Sequence, residues 1–191
     1  MPKVIITHGT MGSPQGNWFP WLSKQLRDRD YKVIVPEYPT PEGQDLNNWL
    51  KTFEKVAGAL DQETILIGHS VGATFVLRVL ESLKSPVRCA YLIAGFTAKL
   101  GLPEYDTLCT SFVDPPFDWE KIKTAAARFR VISGADDPYV PIAQGEGIAR
   151  SLGVPLTSIH GGGHLNAESG YLQFDYLLND ILGAGTALSR Q

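Results

Sequence analysis

Three short stretches of this chain carry side chains that could act together in covalent chemistry. The first is Gly68-His69-Ser70-Val71-Gly72. It follows Thr64-Ile65-Leu66-Ile67, which reads as a buried strand, and leads into a helical pattern opening near Ala73. A serine flanked this way fits the tight strand-to-helix elbow that raises a nucleophile above a sheet. Gly68 and Gly72 lack the Cβ atoms that would collide across such a turn. The second stretch, Ser133-Gly134-Ala135-Asp136-Asp137-Pro138, offers a carboxylate from Asp136 or Asp137 in a loop after a strand. The third, Ile159-His160-Gly161-Gly162-Gly163-His164, offers an imidazole. A serine hydroxyl is a poor nucleophile at neutral pH. It needs a base within hydrogen-bond reach, and that base needs a group to orient it.

The chain has four histidines. His164 is the expected base, because three preceding glycines let its loop curl back toward Ser70. His69 lies inside the elbow, with its side chain expected to point away from the serine and to pack or bond locally. His160 ends the last strand. His8 sits in Thr7-His8-Gly9-Thr10, just after the first strand. His160 and His164 would make a thin ligand set for a metal, so neither a metal nor another cofactor is expected. No G-x-x-x-x-G-K-[ST] pattern occurs, which makes the loop after the first strand a poor nucleotide cradle.

These stretches need a scaffold, and the rest of the sequence supplies one. Apolar, β-rich runs cover residues 3–7, 32–35, 64–68, 88–94, 128–133 and, more weakly, 156–159. Most are continuously apolar, as strands covered on both faces should be. Helical spacing links them: Trp18, Trp21, Leu22 and Leu26; Leu46, Trp49, Leu50, Phe53, Val56, Ala57 and Leu60; Phe75, Val76, Val79, Leu80 and Leu83; and Tyr171, Phe174, Leu177, Leu178 and Ile181. Alternating strands and helices predict a doubly wound parallel α/β sheet of six strands in the order 2-1-3-4-5-6. One domain over residues 1–191 is expected. Residues 118–127 read as a helix, whereas 95–116 read as an irregular segment, a surface loop or the rim of a site, with Phe96, Tyr105, Phe112 and Phe117 as candidates for one apolar wall of that site.

In such a sheet the strand order reverses once, and the crevice opens at the carboxyl ends of the strands on either side. Strands one and three flank it here. Val71 N–H, after the serine, is one expected donor to an oxyanion. The other should come from His8-Gly9-Thr10-Met11-Gly12: Thr10 N–H first, Met11 N–H as the alternative.

Composition narrows the setting. The 191 residues are 43% hydrophobic and 19% charged, with a net charge of -3. That is a globular balance and gives no reason to expect nucleic acid or an anionic membrane as partner. No apolar run approaches a membrane span. Met1-Pro2-Lys3-Val4-Ile5-Ile6 enters a strand without a signal-peptide pattern. Cys89 and Cys109 form no disulfide framework, and a cytoplasmic setting fits.

With these residues in view, the chain resembles the small serine hydrolases of the YdeN and retinoblastoma-binding-protein-9 type. The resemblance rests on His-Gly-Thr-Met-Gly-Ser-Pro-Gln-Gly-Asn-Trp-Phe-Pro-Trp-Leu, Gly-His-Ser-Val-Gly, Asp-Asp-Pro-Tyr-Val-Pro and His-Gly-Gly-Gly-His, in that order. It implies an α/β-hydrolase fold without a large cap domain. It maps nucleophile, acid and base onto Ser70, Asp137 and His164, in the Ser…Asp…His chain order of that fold. In hydrolases of this shape the acid falls three residues after a strand-end glycine, which selects Asp137 over Asp136. The Leu-x-Cys-x-Glu motif is absent, so the family name is no ground for a retinoblastoma partner. The implied reaction is cleavage of an ester, thioester or amide of a small-molecule acyl substrate through an acyl-enzyme. A non-catalytic binding module and an acyltransferase are the alternatives.

Overall fold

Six strands alternate with helices along the chain: β1 (Lys3–Thr7), α1 (Phe19–Arg27), β2 (Lys32–Ile34), α2 (Leu46–Ala57), β3 (Thr64–His69), α3 (Val71–Glu81), β4 (Cys89–Ile93), α4 (Pro103–Val113), α5 (Trp119–Thr124), β5 (Phe129–Gly134), α6 (Ile142–Leu152), β6 (Leu156–Ile159) and α7 (Asp175–Ala187). The computed structural model describes residues 1–187; the end of the expected domain, 188–191, lies outside the described residues. The strands form one sheet in the order β2-β1-β3-β4-β5-β6. Every neighbouring pair is parallel. This is the expected single-domain α/β-hydrolase architecture.

The apolar strands are explained by a core on each face. Successive side chains of a strand point to opposite faces. Ile5, Leu66, Ala90, Leu92 and Val131 pack under α2 through α6. Val4, Ile6, Ile65, Ile67, Tyr91 and Ile93 pack under α1 and α7. α3 crosses the middle of the sheet, and all its residues from Val71 to Leu80 are buried, so its sequence is apolar on nearly every side.

The irregular reading of 95–116 is corrected: α4 occupies half of it. Pro103 sits in its first turn with Glu104 and Asp106, where a missing N–H costs nothing and acidic groups favour the helix dipole. Asp106 also accepts the N–H groups of Leu100 and Gly101 at 2.7 and 2.9 Å, closing the preceding turn. Phe112, expected as a candidate cavity wall, is instead fully buried in the core. Phe117 lies under the Arg78 guanidinium, 3.6 Å from its ring centre.

Candidate active site

Ser70 leaves β3 with φ 59° and ψ −129°, a backbone conformation that L side chains rarely adopt. The strain is held by packing on both sides of the elbow. A Cβ on Gly68 would run into the backbone of Gly72 and Ala73, and one on Gly72 into the carbonyls of Thr7 and His8. Ser70 N–H donates to Ile93 O at 2.9 Å, pinning the elbow to β4. The serine remains half-buried, at the mouth of α3, which begins at Val71 rather than near Ala73.

The acid and base come together on adjacent loops after β5 and β6. His164 Nδ1 and Asp137 Oδ2 lie 2.7 Å apart, and the carboxylate side chain is 1% exposed. Asp137 Oδ1 accepts from Tyr139 N–H and Val140 N–H at 2.9 and 3.0 Å. The carboxylate is thus fixed before it meets the ring. With Nδ1–H engaged, Nε2 is the acceptor nitrogen of the neutral imidazole. Asp136 turns elsewhere and accepts from Gly163 N–H at 3.1 Å. The two loops touch closely, for a Cβ on Gly134 would collide with Gly163 O.

Ser70 and His164 line one cavity of about 320 Å³ at the carboxyl edge of the sheet. No hydrogen bond joins them among the described residues; such contacts often tighten only when substrate is bound. Phe96, Leu100, Leu102, Tyr105 and Val140 give the cavity an apolar wall, while Asn17, Asn166 and Glu168 give it a polar one. Of the four aromatics expected there, Phe96 and Tyr105 are present.

The two expected oxyanion donors differ from the alternative in one respect. Met11 N–H is already committed to Thr40 Oγ1 at 2.7 Å. Thr10 N–H and Val71 N–H make no hydrogen bond among the described residues. Thr10 N–H also belongs to a fixed peptide. Tyr38 N–H donates to His8 Nε2 at 3.0 Å, so His8 carries its proton on Nδ1 and donates it to Gly9 O at 2.8 Å. In a trans peptide the carbonyl and N–H point opposite ways. Anchoring Gly9 O therefore also orients Thr10 N–H. Burial holds the His8 ring below its ordinary pKa and favours this neutral form.

Several supporting residues went unassigned in the sequence. His69 points away from the serine, as expected, but its Nε2–H donates to His164 O at 2.8 Å and so joins elbow to base loop. Burial, reinforced by the neighbouring His164, lowers its pKa to about 3. Trp18 is fully buried, and its Nε1–H donates to Leu165 O at 3.0 Å. Asn17 Oδ1 accepts from Ala167 N–H at 3.0 Å. The Asn17-Trp18 pair thereby clamps the segment carrying His164. The available signal was Trp18 itself, since a buried indole N–H requires an acceptor. His160 is exposed beyond β6. Among the described residues, no group of three or more His, Cys, Asp or Glu side chains could hold a metal ion, and no helix is long and apolar enough to cross a membrane.

Known proteins resemble the chain over nearly its whole length. A family model described as serine hydrolase matches residues 4–181. YdeN of Bacillus subtilis is 31% identical over 182 residues, covering 94% of each chain. The serine hydrolase RBBP9 of Rattus norvegicus is 27% identical over 165 residues, covering 85% of this chain and 86% of its own. The crystal structure of the B. subtilis ydeN product superposes with a TM-score of 0.90 at 28% identity, over 97% of this chain and all 100% of that one. Match length, identity and shape converge, and the chain belongs to the serine hydrolase family.

Proposed function

We propose that this hydrolase works through a Ser70-His164-Asp137 triad and cleaves carboxylic esters, thioesters or amides by way of an acyl-enzyme. The observation that carries the reading is the 2.7 Å contact between His164 Nδ1 and the buried Asp137 carboxylate, on the cavity that Ser70 also lines. Ser70 Oγ attacks the acyl carbonyl carbon while His164 Nε2 takes its proton. Asp137 stabilises the imidazolium that results. The carbonyl oxygen becomes an oxyanion, received by Thr10 N–H and Val71 N–H; Val71 lies at the start of α3, where the helix dipole favours negative charge. Collapse expels the leaving group, which takes the proton from His164. Water, activated by the same ring, then attacks the acyl-Ser70 ester and releases the acid.

The cavity favours a carboxylesterase-like specificity for small or short acyl groups. Its volume of about 320 Å³ lies near the lower end for ligand sites. Ser70→Ala tests the proposal. Hydrolysis of a p-nitrophenyl ester should fall by roughly four to six orders of magnitude with the fold intact. Turnover by that variant within tenfold of wild type would contradict it.

A further inference from the structure

The residues of the oxyanion loop are themselves held by a group in no catalytic motif. Met11 carries φ 55°, a left-handed conformation that is unfavourable for a non-glycine residue and persists only where its surroundings impose it. Those surroundings converge on Gln44. Its Nε2 donates to Thr10 Oγ1 at 2.9 Å and to Leu108 O at 3.2 Å. Its Oε1 accepts from Thr40 Oγ1–H at 2.6 Å. That same Thr40 oxygen receives Met11 N–H at 2.7 Å. One buried carboxamide thus reaches the side chain of Thr10 directly and the amide of Met11 through one hydroxyl, while its second N–H anchors α4.

Both hydrogens and the oxygen of the carboxamide are used, and only 8% of the residue is exposed. A side chain satisfied this fully has one orientation available, and it transmits that orientation to what it binds. His8 fixes the Gly9 carbonyl from one side; Gln44 fixes Thr10 and Met11 from the other.

We propose that Gln44 is a positioning residue for oxyanion stabilisation. It holds the Thr10 and Met11 backbone in register with Ser70 and ties that backbone to α4, the helix that contributes Tyr105 and Cys109 to the cavity. This rests on the triad reading above. The Thr10–Met11 loop faces a negatively charged oxygen only once the carbonyl is attacked. Loosening it should therefore act on kcat and leave ground-state binding nearly alone.

The test replaces the carboxamide by an apolar chain of similar length. Gln44→Met should lower kcat about 10- to 100-fold with KM within about threefold. The rate of Ser70 phosphonylation by a fluorophosphonate should fall in parallel, since that reaction also places an oxygen in the oxyanion site. Thr40→Val removes the hydroxyl that joins Gln44 Oε1 to Met11 N–H but leaves the Gln44–Thr10 bond, and should lower kcat by a smaller factor, about 3- to 10-fold. It serves as the measured variant if Gln44→Met does not fold. Combining Gln44→Met with Thr40→Val should cost less than the product of the single effects. A kcat within twofold of wild type in the folded Gln44→Met protein, or in Thr40→Val where that must stand in for it, overturns the inference and leaves the triad standing. So does a loss expressed wholly in KM, the mark of a merely loosened α4. Wild-type protein that neither hydrolyses esters nor reacts with the fluorophosphonate overturns both readings.

Discussion

At the level of single residues, two adjacent aspartates bond to the same loop with different consequences. Asp137 meets the imidazole of His164, whereas Asp136 meets only the backbone N–H of Gly163. Asn in place of Asp136 retains an oxygen to accept that N–H, so Asp136→Asn should leave turnover within a fewfold of wild type. Asn in place of Asp137 can present its amide N–H to Nδ1 and force the wrong tautomer. Asp137→Asn should therefore reduce kcat roughly ten-thousand-fold. Steady-state ester hydrolysis by the two variants decides the point; the opposite ranking would move the acid to Asp136.

Among the secondary elements, α4 has the greatest bearing on substrate choice. Its Tyr105 and Cys109 line the cavity, together with Leu100 and Leu102 just before it, and its Phe112 and Val113 enter the core. The wall is apolar but short, and the other side of the cavity carries Asn17, Asn166 and Glu168. Short-chain and aromatic acyl esters should therefore be preferred. In a p-nitrophenyl ester series, kcat/KM should peak below about eight carbons. A steady climb beyond that length, or activation at a lipid interface, would reveal a long groove instead. The double role of α4 also explains why its sequence hid it. A helix with a cavity on one face and core on another has no clean polar stripe. The strands were legible because most are short apolar runs bounded by helical periods, with β6, Leu-Thr-Ser-Ile, the weakest. The elbow, the Asp136-Asp137 pair and His164 stood out because such chemistry shows in residue type and glycine spacing, whereas the choice of Asp137 came from the family resemblance. Their supports were not. Trp18 bonds a carbonyl 147 residues away and Gln44 the Thr10 hydroxyl 34 residues away, and such pairings depend on loop paths that local sequence does not encode.

Across the whole molecule, the site imposes a cost on stability. His69 is buried with its Nδ1 unpartnered, and burial keeps both it and His8 neutral in the folded chain. Once unfolded, each ring protonates near pH 6.5. Below that value the unfolded chain binds more protons, so the free energy of unfolding falls as acid is added. The His69 contribution is fully present above about 6.5 and lost progressively toward about 3, by on the order of 1 kcal/mol per pH unit. Urea unfolding from about pH 7 to 4 should show this slope, and His69→Gln, which can still donate to His164 O, should make it shallower. An unchanged slope would place the acid sensitivity elsewhere. The proposed chemistry depends on one bond-forming event at one oxygen, Ser70 Oγ. Incubation with a fluorophosphonate, followed by intact mass and peptide mapping, tests it most directly. A single adduct on Ser70, absent from Ser70→Ala, is the predicted result. Wild-type protein that stays unmodified, or an adduct that persists in Ser70→Ala, would contradict it.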